Sequence, residues 1–277
     1  MQYFLYNGKF ILANTPVLSP DNRSFRYGEG LFETMRKTAN GIPMWQRHAE
    51  RLKAGLQLLG MMLPAHYDEH SLHNDIERLC NKNGITSDAR IRLTCFKGNG
   101  GLWEAPNEFH VLIQCWPITS AEFNVNGLDV GLFTKAYKSC DVLSGIKSNN
   151  YLLYALAAQE AKQQKYNEAM VLNQHGRVAD TTIANVFFIK NNVIHTPGLT
   201  EAPVAGVMRA HLLAQLPNHG WQVEEGSYTA EDIEAAEEVF LTNAIHGIRW
   251  VKSFRNAQYL NLNTSRIYHQ VIAPLFE

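Results

Sequence analysis

The residues best suited to chemistry lie between Gly145 and Arg209. Lys147 sits in G-I-K-S-N-N-Y, directly after a glycine bend. Beside Leu143 and Ile146, at a loop-to-helix junction, an amine can lose solvation, and a poorly solvated amine is the better nucleophile. Taken alone, a lysine there is most often a surface side chain. Asp180 follows a short strand and precedes Thr181-Thr182. Taken alone, it reads as a turn or helix-cap aspartate. Its other reading is a carboxylate set against a protonated ring nitrogen. Gly206-Val207-Met208-Arg209 opens a helix after Pro203-Val204-Ala205. A glycine there can serve packing alone, but unpaired N–H groups at a helix start also favour a phosphate dianion. Together the three supply an amine for a Schiff base, a carboxylate and an anion cradle.

Other patterns are weaker. Arg51, in H-A-E-R-L, lies on the first long helix, where an arginine usually belongs to a solvated face. Tyr27-Gly28-Glu29-Gly30-Leu31-Phe32-Glu33-Thr34 is a glycine-rich bend that brings backbone close to a ligand or to another strand. K-G-N-G-G (Lys97 to Gly101) lacks phosphate-loop spacing and reads as a hairpin turn. The histidines form no H-E-x-x-H or comparable spacing, so no metal site is expected. No G-x-S-x-G elbow suggests a serine hydrolase.

The elements that must hold these residues are short and varied. Asn7-Gly8 joins strands Tyr3 to Tyr6 and Lys9 to Leu12. Leu52, Leu56 and Leu59 mark a helix over Arg47 to Leu59. Ala89 to Phe96 alternates polar and apolar side chains, and Phe109 to Trp116 returns beside it. Asn149 to Gln164 is helical and alanine-rich. Strands Ala169 to Asn173 and Val178 to Ala179 flank His175-Gly176. Val186 to Lys190 and Val193 to Thr196 form a hairpin around Asn191-Asn192. Helices over Gly206 to Leu216, Ala230 to Ala236 and Ser265 to Leu275, and a strand over Val239 to Thr242, complete the pattern. Hairpins with separate helices predict an α+β fold. Composition and period break near Pro117, predicting a small domain over 1–117, a linker over 118–124 and a larger domain over 125–277.

At 277 residues the chain can bury a large core, and a net charge of −1 gives no basic footprint for nucleic acid. No apolar run approaches a membrane span. The start, M-Q-Y-F-L-Y-N-G-K-F, reads as a strand and turn rather than a leader. Cys80, Cys95, Cys115 and Cys140 form no C-x-x-C pair and read as reduced thiols, so a cytoplasmic location is expected.

In order and spacing these motifs resemble the fold-type IV pyridoxal phosphate (PLP) enzymes, from Asn7-Gly8 to about Val251. That family includes branched-chain aminotransferases, D-amino acid aminotransferases and aminodeoxychorismate lyases. The resemblance implies pyridoxal 5'-phosphate in an interdomain cleft, a homodimer, and an amino-acid-like substrate. It makes Lys147 the Schiff-base lysine and proton shuttle, and Arg51 the phosphate arginine. Asp180 falls where the family usually has glutamate on the pyridine nitrogen. Ile183, Ala184, Val207 and Met208 match backbone phosphate contacts. Tyr151 matches a tyrosine at the cofactor hydroxyl, although it follows the lysine by four residues where the family often has five.

Within the family three positions are similar to the lyases. Thr34 stands in F-E-T where branched-chain aminotransferases have glycine. V-A-G-V-M-R differs from the aminotransferase L-P-G-I-T-R. T-N-A-I, with Asn243, Ala244 and Ile245, is similar to the lyase C-N-A-L. Leu102 and Trp103 argue the other way, since some lyases carry arginine and tyrosine there. Arg90, Arg92 or Arg209 could then meet a substrate carboxylate, with Tyr27 also at the substrate. The expected reaction is conversion of 4-amino-4-deoxychorismate to 4-aminobenzoate and pyruvate, with Lys147 and Thr34 catalytic. The alternative is transamination of branched-chain L- or D-amino acids with 2-oxoglutarate. A PLP-free binding protein on the same scaffold is a third reading.

Overall fold

Asn7 and Gly8 adopt φ of 50° and 74°, the left-handed pair a two-residue hairpin requires. They join β1 (Tyr3–Tyr6) to β2 (Lys9–Leu12) in antiparallel register. The computed structural model of the chain describes residues 1–64, 66–104, 108–118 and 122–277. Contacts divide them into two units, one of Met1–Ser120 with Ile146–Asn150, the other of Ala121–Gly145 with Tyr151–Glu277. Of the linker expected over 118–124, residues 119–121 lie outside the described residues.

The first unit continues with α1 (Arg23–Tyr27), β3 (Gly30–Lys37), α2 (Trp45–Leu58), α3 (Glu69–Lys82), β4 (Ala89–Lys97) and β5 (Phe109–Pro117). Its antiparallel sheet has the order β2-β1-β5-β4-β3. Alternation on β4 turns Ala89, Ile91, Leu93 and Cys95 into a core shared with Leu52 and Leu56 of α2 and Ile76 and Leu79 of α3. Arg90, Arg92 and Thr94 take the other face. The glycine-rich bend expected over Tyr27 to Thr34 is the C-terminal end of α1, a left-handed Gly28 cap at φ 71°, and then strand β3. The short turn expected over Lys97 to Gly101 opens a longer connection, closed by Gly98 N–H donating to the Glu108 carbonyl at 2.9 Å.

Ile146–Asn150 pack with this unit rather than with the 125–277 segment around them. The reason is backbone pairing. Phe32 N–H donates to Lys147 O at 2.9 Å, and Asn149 N–H donates to Gly30 O at 2.8 Å.

The second unit contains β6 (Leu128–Lys138), α4 (Leu152–Gln163), β7 (Glu168–Asn173), β8 (Val178–Thr181), β9 (Asn185–Lys190), β10 (Val193–Pro197) and α5 (Val207–Gln215). After them come β11 (Gln222–Gly226), α6 (Ala230–Glu234), β12 (Glu238–Asn243), β13 (Gly247–Phe254), β14 (Ala257–Gln258), α7 (Leu262–Ile267) and α8 (Ala273–Phe276). Its mixed sheet runs β11-β10-β9-β12-β13-β6-β7-β8, with β14 on β13. The Asn191-Asn192 hairpin forms as its residues require, with φ of 51° and 62°. The last helix begins earlier than Ser265, because the buried Glu238 carboxylate accepts the N–H groups of Asn263 and Thr264, both at 2.8 Å. The fold is α+β in two sheets. Among the described residues no helix is long and apolar enough to cross a membrane.

Candidate active site

The structure gathers the candidate residues into two groups, one in each unit. In the first unit, Lys147 Nζ stands 4.6 Å from the centre of the Phe32 ring, and the Arg92 guanidinium stands 3.7 Å from the same ring. Both positions place a cation over an aromatic face. Thr34 lies opposite Arg92 in the β3–β4 register. Phe32 and Thr34 are two apart on β3 and share a face. This face therefore carries a lysine amine, an arginine and a hydroxyl around one ring. Arg90 is exposed and stacks on Trp116 at 5.7 Å. Tyr27 ends α1 between Arg23 and Arg26, at 5.4 and 5.2 Å. Trp103 is 97% exposed.

Glu33 points the opposite way, toward α2. It accepts hydrogen bonds from His48 Nδ1 at 2.7 Å and from Arg51 Nε and Nη2 at 2.7 and 2.5 Å. Arg51 is thus no solvated helix residue: a buried carboxylate fixes its direction. Burial alone would raise the Glu33 carboxyl, but the Arg51 charge and the bonds from His48 and Arg51 bring it down to about 2. A folded value below the unfolded one adds stability above the unfolded value and loses it as pH falls through the folded value. Glu33→Gln should therefore lose about 3 kcal/mol at neutral pH in urea unfolding. That deficit should shrink as pH falls from about 4.5 toward 2. A deficit that stays constant across this window would mean that Glu33 is not held ionised by these partners.

In the second unit Asp180 lies inside β8 and is 2% exposed. It is neither a turn nor a cap residue. Pairing of β8 with β7 buries it, and its side chain finds long-range partners. Oδ2 accepts from Lys138 Nζ at 3.1 Å, Tyr154 Oη at 2.8 Å and the Val204 N–H at 2.9 Å. Lys138 also donates to Tyr154 Oη. Burial, then the Asp180 charge, pushes the Tyr154 phenol well above its usual range, so it stays a neutral donor. Oδ1 is buried and has no partner among the described residues. A buried carboxylate oxygen without a donor is costly. A pyridinium N–H is the kind of donor it lacks, so Asp180 fits the nitrogen of PLP. Tyr151 caps α4, packs tilted against Tyr154 with ring centroids 4.5 Å apart, and donates from Oη to the Thr182 carbonyl at 3.1 Å.

The phosphate end also fits. Helix α5 opens at Gly206 with no side-chain cap, leaving the Val207 and Met208 N–H groups at its first turn. Asn185 donates from Nδ2 to the Val204 carbonyl at 2.9 Å, and a Cβ on Gly206 would overlap the Asn185 Oδ1. Gly206→Ala should therefore cost about 1–3 kcal/mol and move the helix start. Urea midpoints checked beside PLP affinity test this; parent values in both would show that Asn185 turns aside freely.

Two expected contacts meet competition. The Ala184 N–H already donates to Thr181 Oγ1 at 3.2 Å, so a phosphate would have to displace that bond. Ile183 beside it is half exposed. Arg209 is buried and donates to the Pro197 carbonyl at 2.9 Å and to Glu225, which removes it as a partner for a substrate carboxylate. Asn243 Oδ1 accepts the N–H groups of Ile245 and His246 at 3.0 and 2.9 Å, fixing Asn243, Ala244 and Ile245 in the β12–β13 turn. Motif spacing missed Glu33, His48, Lys138 and Tyr154. Only Tyr154 had a local signal, one helical turn after Tyr151.

The two-sheet fold is that of fold-type IV PLP enzymes. A branched-chain aminotransferase from Thermoproteus uzoniensis superposes with a TM-score of 0.89 at 22% identity, over 99% of this chain and 95% of that one. The class IV aminotransferase family matches residues 30–254, and this chain belongs to that family of PLP-dependent enzymes. An aminodeoxychorismate lyase from Vibrio harveyi is 29% identical over 232 residues, 82% of this chain and 83% of that protein. A branched-chain-amino-acid aminotransferase from Pseudomonas aeruginosa is also 29% identical, over 252 residues, 86% of this chain and 80% of that one.

Proposed function

We propose that this protein uses PLP to convert 4-amino-4-deoxychorismate to 4-aminobenzoate and pyruvate. The observation that carries the reading is Thr34. It places a hydroxyl on the sheet face that holds Phe32, Arg92 and the Lys147 amine. Elimination of an enolpyruvyl group removes a proton from Cα, breaks the ring C–O ether bond, and needs a second proton-transfer group near the departing enolpyruvyl oxygen. When bound, PLP supplies the electron sink for the Cα carbanion. Lys147 would anchor the cofactor through its amine and would take the Cα proton on Nζ. Thr34 Oγ1 assists proton transfer at the leaving group. Arg92 meets a substrate carboxylate, with Tyr27 and the Asn243–Ile245 turn beside the substrate. Asp180 would keep the ring nitrogen protonated, and Tyr151 would meet the cofactor hydroxyl. Val207 and Met208 would hold the phosphate, with Ile183 and Ala184 as further backbone donors and Arg51, oriented by Glu33, as its cation. The protein works as a cytoplasmic homodimer in this reading.

The second reading is transamination of branched-chain L- or D-amino acids. The equal identity to the Pseudomonas aminotransferase supports it, as does the absence of a cation at Leu102 and Trp103. The test is the PLP-loaded protein with 4-amino-4-deoxychorismate, following 4-aminobenzoate and pyruvate, beside a panel of L- and D-amino acids with 2-oxoglutarate. Rapid 4-aminobenzoate release with slow transamination is expected. Fast keto-acid formation without 4-aminobenzoate would replace the first reading with the second.

A further inference from the structure

On the helix side of the first unit, residues of β3, β4, α2 and segments 61–63 and 67–72 line an open cavity of about 710 Å³. That lies within the size range of small-molecule pockets. Its walls are apolar, with Met35, Leu52, Leu56, Met61, Leu72 and Leu93 among them. Trp45 and Tyr67 add aromatic surface. Methionine side chains adapt to the shape of an apolar guest.

The polar part of this wall is specific. Lys53, Gln57, Asp68, Glu69 and His70 also line the cavity, but Glu33 and His48 are its deeply buried polar residues. His48 is 1% exposed, and its Nε2 has no partner among the described residues. Glu33, held ionised by Arg51, can only accept. His48 Nδ1, 2.7 Å from Glu33 Oε2, must therefore carry the proton of that bond. Burial, opposed by the Glu33 contact, lowers the His48 pKa, which keeps the ring neutral. In that tautomer Nε2 is a bare lone pair. It can accept a hydrogen bond and cannot donate one.

We propose that this cavity is a ligand site for a neutral apolar alcohol or phenol, whose hydroxyl donates to His48 Nε2 while its hydrocarbon body fills the apolar space. At His48 an anionic group is disfavoured twice, since Nε2 offers it no donor and the Glu33 carboxylate lines the same wall. A pure hydrocarbon leaves Nε2 unsatisfied, which a buried acceptor resists. The existence of this site does not depend on which reaction the enzyme performs.

The test is titration calorimetry on the full-length, PLP-loaded protein with three matched probes: 4-pentylphenol, its methyl ether 4-pentylanisole, and 4-pentylbenzoate. The phenol should bind at least tenfold more tightly than either control. Ala49→Leu, which grows a side chain from α2 into the cavity, should weaken phenol binding at least tenfold. Met61→Phe enlarges another lining side chain of the same cavity and serves if Ala49→Leu does not fold. Equal binding of phenol and ether would overturn the role of Nε2. Parent-like binding in a folded filling variant would overturn the location. No binding to folded parent protein would show that water alone occupies the cavity.

Discussion

Lys147→Ala should lower turnover of the PLP-loaded enzyme by at least about 10³-fold. Borohydride treatment followed by mass spectrometry should find no cofactor fixed to the variant and one fixed to the parent. The fold should survive. The segment is held by its backbone, through Lys147 O and the Asn149 N–H on β3, and alanine keeps both bonds. An unchanged melting temperature with lost trapping would assign the defect to the amine. Added methylamine should restore a fraction of turnover, because it replaces the proton acceptor without replacing the tether. Parent-level trapping in Lys147→Ala would remove this lysine from the chemistry and leave it a surface cation over Phe32.

Asp180→Ala should show two separable losses. The first is stability, in the cofactor-free protein. Lys138 is 8% exposed and has its charge partner in Asp180 at 3.1 Å. Removing one member of a buried ion pair strands the other, at about 3–5 kcal/mol. The second is activity, where Asp180→Asn is the cleaner probe. It retains an oxygen for Tyr154 and the Val204 N–H but no charge to hold a ring nitrogen protonated. Turnover should fall about 10²–10³-fold, the scale of losing one preorganised electrostatic contact. Combining Asp180→Leu with Lys138→Met should recover much of the stability, since apolar replacement of a buried pair is often neutral, and none of the activity. Parent-like turnover in Asp180→Asn would mean that the pair with Lys138 is structural only. The family's usual glutamate is one methylene longer; here Lys138 and Tyr154 both bind Oδ2, and Oδ1 is the oxygen left over.

Features that a few adjacent residues decide were legible before the structure. Asn7-Gly8 and Asn191-Asn192 specify hairpins because few residues tolerate their φ values. Strand β4 is legible because it packs helices on one face only. Strand β3 is not, because Glu33, Arg36 and Lys37 are buried beside its apolar residues and erase the alternation. Their partners, Arg51, Asp88 and Glu77, lie far along the chain, where no local pattern can point to them. Helix α3 does carry a signal, the Asp68 and Ser71 capping box ahead of Leu72, Ile76 and Leu79, which a motif-led reading passes over. In the candidate site, residue types and order were visible at Lys147 and Asp180. The setting of Asp180 was not, since a strand buried on both faces looks locally like a turn ahead of two threonines. Lys138 could be found only through the pairing of β6, β7 and β8.

Strand β3 stands at the edge of its sheet. An open edge is a template for another chain, and proteins that leave one bare tend to aggregate. Here Ser148 bridges Leu31, and the neighbouring bonds at Gly30 and Phe32 occupy the outward-facing groups at the start of the strand. The loop that carries Lys147 is thus also a plug against self-association. Backbone lesions in it, such as a proline at Asn149, would reach the cell as insoluble protein before any loss of turnover could be measured. Selection on this segment therefore acts on solubility whatever chemistry Lys147 performs.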